Sequence, residues 1–114
     1  MKVVVSVLGA MQLELAVTES SFERMRGLLG RSLQPGQGLL LRPCSMIHTW
    51  GMKYSIDVIF INRRGAILKI CTNQSRRKFC ACFGAYAVIE LPAGNADERK
   101  LQIGMTVTSD LVLL

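Results

Sequence analysis

The densest run of chemistry-bearing residues lies between Cys44 and Asp57, CSMIHTWGMKYSID, which sets a thiol, the sole imidazole (His48) and a carboxylate within one short stretch. Acid–base chemistry near neutral pH must use His48, or else a carboxylate or thiol with a displaced pKa. Three readings compete. In the first, Asp57 braces the start of a strand by accepting hydrogen bonds from backbone groups or from His48, a structural duty that satisfies a buried carboxylate. In the second, Asp57 orients His48, which activates Cys44 as the nucleophile of a small hydrolase. In the third, Cys44 and His48 join Cys80 and Cys82 around zinc, although zinc-finger cysteine pairs enclose roughly two to four residues and this pair encloses only Ala81. No phosphate loop, dinucleotide fingerprint, paired-histidine zinc motif or serine elbow occurs, so no cofactor and no committed metal site is read from the chain.

Charge supplies a second line of evidence. The formal net charge is +6, and the middle of the chain carries almost all of it: Arg42, Lys53, Arg63, Arg64, Lys69, Arg76, Arg77 and Lys78 oppose only Asp57 and Glu90. Such an imbalance serves either a solvated surface or an anionic partner. Nucleic-acid binding would use Arg63, Arg64, Arg76, Arg77 and Lys78 for phosphates, with Phe79 or Tyr54 stacking on bases. The aromatic content of 6% gives few stacking groups, which makes this a weak nucleic-acid binder at most.

These residues must be positioned by one small body. A chain of 114 residues, half of them apolar, builds one core and forms a single domain over residues 1–114. The longest apolar runs, Val3 to Leu8 and Val58 to Ile61, are far short of the ~18 residues needed to cross a bilayer. Lys2 followed by an apolar stretch imitates a secretory signal, but no good small-x-small cleavage site follows and the stretch continues into the alternation Gln12-Leu13-Glu14-Leu15. The chain is therefore expected in the cytoplasm, with Cys44, Cys71, Cys80 and Cys82 as reduced thiols.

Lys2 to Leu8 and Met11 to Val17 read as a hairpin around Gly9-Ala10. Ser20 and Glu23 form a capping box for a helix to about Leu29, with Phe22, Met25, Leu28 and Leu29 on one face. Leu39 to Leu41 is a short strand ended by Pro43. Ile56 to Ile61 and Ala66 to Cys71 read as a second hairpin whose tip, Asn62-Arg63-Arg64-Gly65, is strongly basic. Thr72 to Gly84 reads as an exposed loop with Phe79 to Phe83 as a strand candidate. Tyr86 to Leu91 is a strand, Asn95 caps a short helix through Lys100, and Met105 to Leu114 supplies the last strands. Short strands punctuated by turns predict a small antiparallel β-sandwich or jelly-roll-like barrel with one or two short helices packed against it.

Four ordered blocks carry a resemblance: Arg24-Met25-Arg26-Gly27-Leu28-Leu29-Gly30-Arg31, Pro35 to Leu39, His48 to Phe60, and Glu90-Leu91-Pro92-Ala93-Gly94 with Gly104 behind it. Together they resemble the uncharacterised family called domain of unknown function 192 across nearly the whole chain. Met52 and Asp57 match that family's most recognisable positions, while Cys44, His48 and Thr49 resemble a branch with Ile-His-Thr. Ser55 stands where the family usually has proline, and Gly51 where it often has an aromatic residue. The resemblance implies a small β-sandwich or jelly-roll-like domain with a helix packed against it and no established activity.

The resulting expectation is a non-catalytic ligand-binding or accessory module. Its candidate functional cluster is Arg26, Cys44, His48, Met52, Asp57 and Glu90, and its partner is a small molecule or a protein. A Cys/His hydrolase and a weak nucleic-acid binder are the alternatives.

Overall fold

The computed structural model describes residues 2–8, 11–17, 34, 36–49, 54–75 and 77–109. The strands are β1 (Lys2–Leu8), β2 (Met11–Val17), β3 (Gln37–Leu41), β4 (Met46–His48), β5 (Ile56–Ile61), β6 (Ile67–Gln74), β7 (Phe79–Ala81), β8 (Ala87–Pro92) and β9 (Thr108–Ser109), with a short helix, Asn95–Glu98, after β8. The expected helix at Ser20 to Leu29 lies outside the described residues.

Among the described residues, seven strands form one sheet in the order β6-β5-β8-β3-β2-β1-β9, and β4 pairs with β7 in a second, two-stranded sheet. The first hairpin pairs Lys2 with Val17 through to Leu8 with Met11, as its alternation predicts. The sheet is not wholly antiparallel: β2 and β3 run parallel, with Glu14 opposite Gln37 and Val17 opposite Leu40. That corrects the antiparallel expectation, and the reason is topological. The chain between β2 and β3 is long enough to return β3 in the same direction, which a tight turn cannot do.

The sheet curls without closing into a barrel. Residues 104–107 bond to its β6 side, through Ile67 N–H to the Met105 carbonyl (2.8 Å) and Val107 N–H to the Gly65 carbonyl (2.9 Å). The chain passes straight into β9, which pairs with β1 at the far edge. Gly65 is required at this join: its φ is +85°, and a Cβ there would lie 2.6 Å from the Val107 carbonyl oxygen.

Each face of the large sheet carries its own core. Leu15, Val17, Leu40, Ile59, Ile61 and Ile89 pack on one face beneath Ala96 of the short helix and Leu101. Leu39, Leu41, Ile56, Val58, Phe60 and Val88 pack on the other beneath Ile47 of β4 and Cys80 of β7. This is a sandwich-like arrangement with a small second layer, as expected for inward-facing residues that alternate along each strand.

Two local expectations are corrected. β6 runs on through Gln74, because Gln74 pairs with Ile56, so Thr72 to Gln74 belongs to a strand and not to the loop. Cys71 and Cys80 are joined by a disulfide while Cys44 and Cys82 stand outside any disulfide, so reduced thiols hold for only part of the set. The inward residue of β7 meets edge strand β6 at that point, a contact between layers that spacing along the chain cannot show. No helix among the described residues is long and apolar enough to cross a membrane.

Candidate functional site

The two carboxylates of the middle segment lie on opposite faces of the same sheet. Asp57 on β5 stands opposite Leu91, whereas Glu90 on β8 stands between Val58 of β5 and Leu39 of β3. Because side chains alternate along a strand, Asp57 shares the face of Ile59 and Ile61, and Glu90 shares the face of Val88.

Asp57 is fully buried and fully employed. Its Oδ1 accepts the Asn73 N–H (2.8 Å) and its Oδ2 accepts the Ala96 N–H (2.8 Å). Asn73 adopts a left-handed backbone near the end of β6 (φ 50°), so one carboxylate oxygen holds a strained strand end. The other caps the short helix. The sequence suggests Asn95 as its cap, but the helix starts after Gly94 with no side-chain cap of its own. The carboxylate that serves its first turn comes from 39 residues away. The structural reading of Asp57 is the one its geometry fits.

Glu90 is the converse case. It is 4% exposed, and among the described residues its Oε1 has no hydrogen-bond partner. Burial pushes its carboxyl up to about 7, since the charged form loses water without gaining a donor. Tyr54 packs against the same apolar layer. Its phenol is raised above the ordinary value, first by burial and then by the negative charge of Glu90, which places the two groups within electrostatic reach. Half-buried Cys44 and Cys82 line the same layer. A carboxyl poised near neutrality in such a setting can donate a hydrogen bond when protonated and accept several when ionised.

The other sequence-selected residues are dispersed. Cys44 packs toward the Glu90 face, and its Sγ donates to the Met46 carbonyl (3.2 Å). His48 lies on the exposed side of β4, whose inward residue is Ile47. Thr49 is buried and works as a clamp: its hydroxyl donates to the Ser75 carbonyl and accepts the Lys78 N–H (2.7 Å), fixing both ends of the β6–β7 loop. Arg26, Met52 and Arg76 lie outside the described residues. Cys80 is spent in the disulfide, and no three described His, Cys, Asp or Glu residues are placed to hold a metal.

The basic residues divide between the two ends of β6. Arg63 and Arg64 sit at the β5–β6 turn, where the Arg63 guanidinium lies 4.3 Å from the Tyr86 ring centroid. Exposed Arg77 and Lys78 occupy the loop at the other end. Tyr54 as a neighbour of Glu90 was missed from sequence, because β8 inserts beside β5 through a non-local pairing. The available signal was the lone carboxylate in the apolar run Ala87-Val88-Ile89-Glu90-Leu91.

The architecture is thus an unclosed, mixed-sheet β domain of sandwich type, with one buried carboxyl on each face of its large sheet. The chain belongs to the uncharacterised family DUF192, described as Uncharacterized ACR, whose model matches residues 3–109. No curated protein matches it. One similar solved structure is a Sinorhizobium meliloti protein described as a candidate transcription regulator, 20% identical, with a TM-score of 0.84 over 94% of this chain and 92% of that one. Another, a protein of unknown function from Novosphingobium aromaticivorans, is 19% identical, with a TM-score of 0.79 over 93% and 83% of the two chains. At these identities the likeness concerns the fold.

Proposed function

We propose that this domain is a non-catalytic binding module whose recognition site is the Glu90 face of the large sheet, beside Tyr54 and below the β4–β7 layer. The observation that carries the reading is the buried, unpartnered Glu90 Oε1. Buried polar atoms are nearly always paired, and one that is not costs about 1–3 kcal/mol, so a ligand that supplied the missing partner would recover that energy on binding. The apolar neighbours Leu39 and Val58 suit a small ligand with a hydrocarbon body and a single hydroxyl, amide or ammonium group. The Cys/His hydrolase reading loses support because both oxygens of Asp57 serve backbone amides.

The test is a fragment screen by protein-observed NMR, using amines, alcohols and amides on apolar scaffolds. Binders are expected to shift the amides of Leu39, Val58 and Glu90, and to lose affinity in Glu90→Leu. Hits that bind Glu90→Leu equally well, or a reproducible hydrolase activity abolished by Cys44→Ala, would overturn the proposal.

A further inference from the structure

The outward side of the β4–β7 layer, which faces away from Glu90, combines exposed apolar groups with neighbouring cations. Ile47 and Cys80 point inward, and the register places Met46 opposite Ala81 and His48 opposite Phe79 on the outer side. Met46 is 55% exposed and Phe79 59%. Phe83 is fully exposed: it occupies a turn closed by the Ala85 N–H to the Cys82 carbonyl (3.1 Å), with Gly84 at φ 91° taking the left-handed position. Among the described residues, three of the five exposed large hydrophobics therefore belong to this one small layer and its turn.

Cations frame the same surface. Lys78 immediately precedes Phe79 and is exposed, as is Arg77. Lys69 reaches over from β6 so that its ammonium donates to the Ala81 carbonyl (2.8 Å), at the opposite corner from Lys78. Among the described residues from 34 to 94, no exposed carboxylate accompanies them. Between Glu23 and Asp97 the sequence holds only two carboxylates, Asp57 and Glu90, and both are buried, at 0% and 4% exposure. Every exposed charged residue described from position 34 to 94 is therefore a cation.

We infer that this face docks on an anionic lipid surface, with Phe83, Phe79 and Met46 entering the interface while Lys69, Arg77 and Lys78 meet the headgroups. Shallow apolar insertion beside clustered cations is the chemistry of interfacial binding, in which neither component suffices alone. A lipid surface fits better than nucleic acid. Phe83 projects from a turn tip and Met46 has no flat face, whereas strand recognition calls for aromatic platforms on which successive bases stack. The inference does not rest on the Glu90 reading, which concerns the inner side of this layer.

The experiment is co-sedimentation of the full chain with vesicles of phosphatidylcholine alone or mixed in equal parts with phosphatidylglycerol. A fluorescent single-stranded oligonucleotide is tested in parallel. Binding is expected to the anionic vesicles and not to phosphatidylcholine, and to fall in high salt. Phe79→Ser with Phe83→Ser should lower the partition coefficient by about tenfold or more, and Lys78→Glu by about fivefold, with unchanged thermal midpoints because these side chains are exposed. Failure to bind anionic vesicles overturns the inference. So does oligonucleotide binding without vesicle binding, or vesicle binding indifferent to the two phenylalanines.

Discussion

Replacing Asp57 with asparagine removes a charge and reverses one hydrogen-bonding atom while preserving shape. In the native protein the two carboxylate oxygens accept the N–H groups of Asn73 and Ala96, both at 2.8 Å, from a side chain with no solvent exposure. A carboxamide offers one carbonyl oxygen, so one of those N–H groups must face the NH₂. A hydrogen bond to a charged acceptor is worth about 1.5–3 kcal/mol, and a buried donor left unpaired costs about 1–3 kcal/mol. Asp57→Asn should therefore destabilise the domain by about 2–4 kcal/mol, a large share of the roughly 5–15 kcal/mol typical of whole domains. Urea denaturation followed by circular dichroism should show the midpoint falling by about 1–2 M at unchanged slope. Hydrogen exchange adds a local readout, with the amides of Asn73 and Ala96 losing protection beyond the global change. A midpoint within about 0.2 M of the native protein would refute the claim that this carboxylate braces two elements at once.

Glu90 should make stability fall as pH rises. Its folded-state carboxyl titrates at about 7 against an ordinary value of 4.5, so the native state holds the proton more tightly. The resulting stabilisation is complete below the ordinary value and is lost as pH climbs through about 7. At about 1.4 kcal/mol per pKa unit the loss is roughly 3 kcal/mol, and Glu90→Gln should flatten the profile over that window; an equally steep profile in the variant would refute the assignment. Gly65→Ala should lower stability by more than about 2 kcal/mol, because a left-handed backbone and a close approach to Val107 act together. Gly84→Ala, with positive φ but open space around it, should lose only about 1 kcal/mol in the same thermal melts. Thr49→Val should cost about 1–3 kcal/mol and speed tryptic cleavage at Arg77 and Lys78, since the clamp on their loop is gone; unchanged cleavage would show that the loop is held by other contacts.

What the sequence revealed and what it hid follow from the range of the interactions. β1, β2 and β5 are recognisable as written, because alternation and β-branching act within each strand. The turn at Asn62 is legible for the same reason, with its Oδ1 accepting the Arg64 and Ala66 N–H groups a few residues away. The extension of β6 through polar Thr72 to Gln74 was not legible, since an edge strand tolerates exposed polar side chains and its pairing partner lies far back at Ile56. The parallel β2–β3 pairing and the Cys71–Cys80 link depend on contacts between distant segments. At the candidate site, the structural role of Asp57 could be named in advance, but not which amides it would serve. Likewise, Glu90 stood out as a carboxylate in an apolar run, while its separation from Asp57 by a whole sheet emerged only from strand order.

That separation bears on how the molecule is to be understood. Folding buries both carboxylates of the central segment, whose described exposed charges are all cations, and it treats them differently. One accepts hydrogen bonds from two backbone amides and holds β6 and the short helix in place, so its burial is explained by architecture. The other sits among Val58, Leu39 and Val88 with an oxygen that no described residue satisfies, which is costly in an apolar layer. A stability argument alone accounts for Asp57 and leaves Glu90 as an expense of the fold. A binding role for the Glu90 face would turn that expense into affinity, because a partner supplied by a ligand would recover what the unpaired oxygen forgoes.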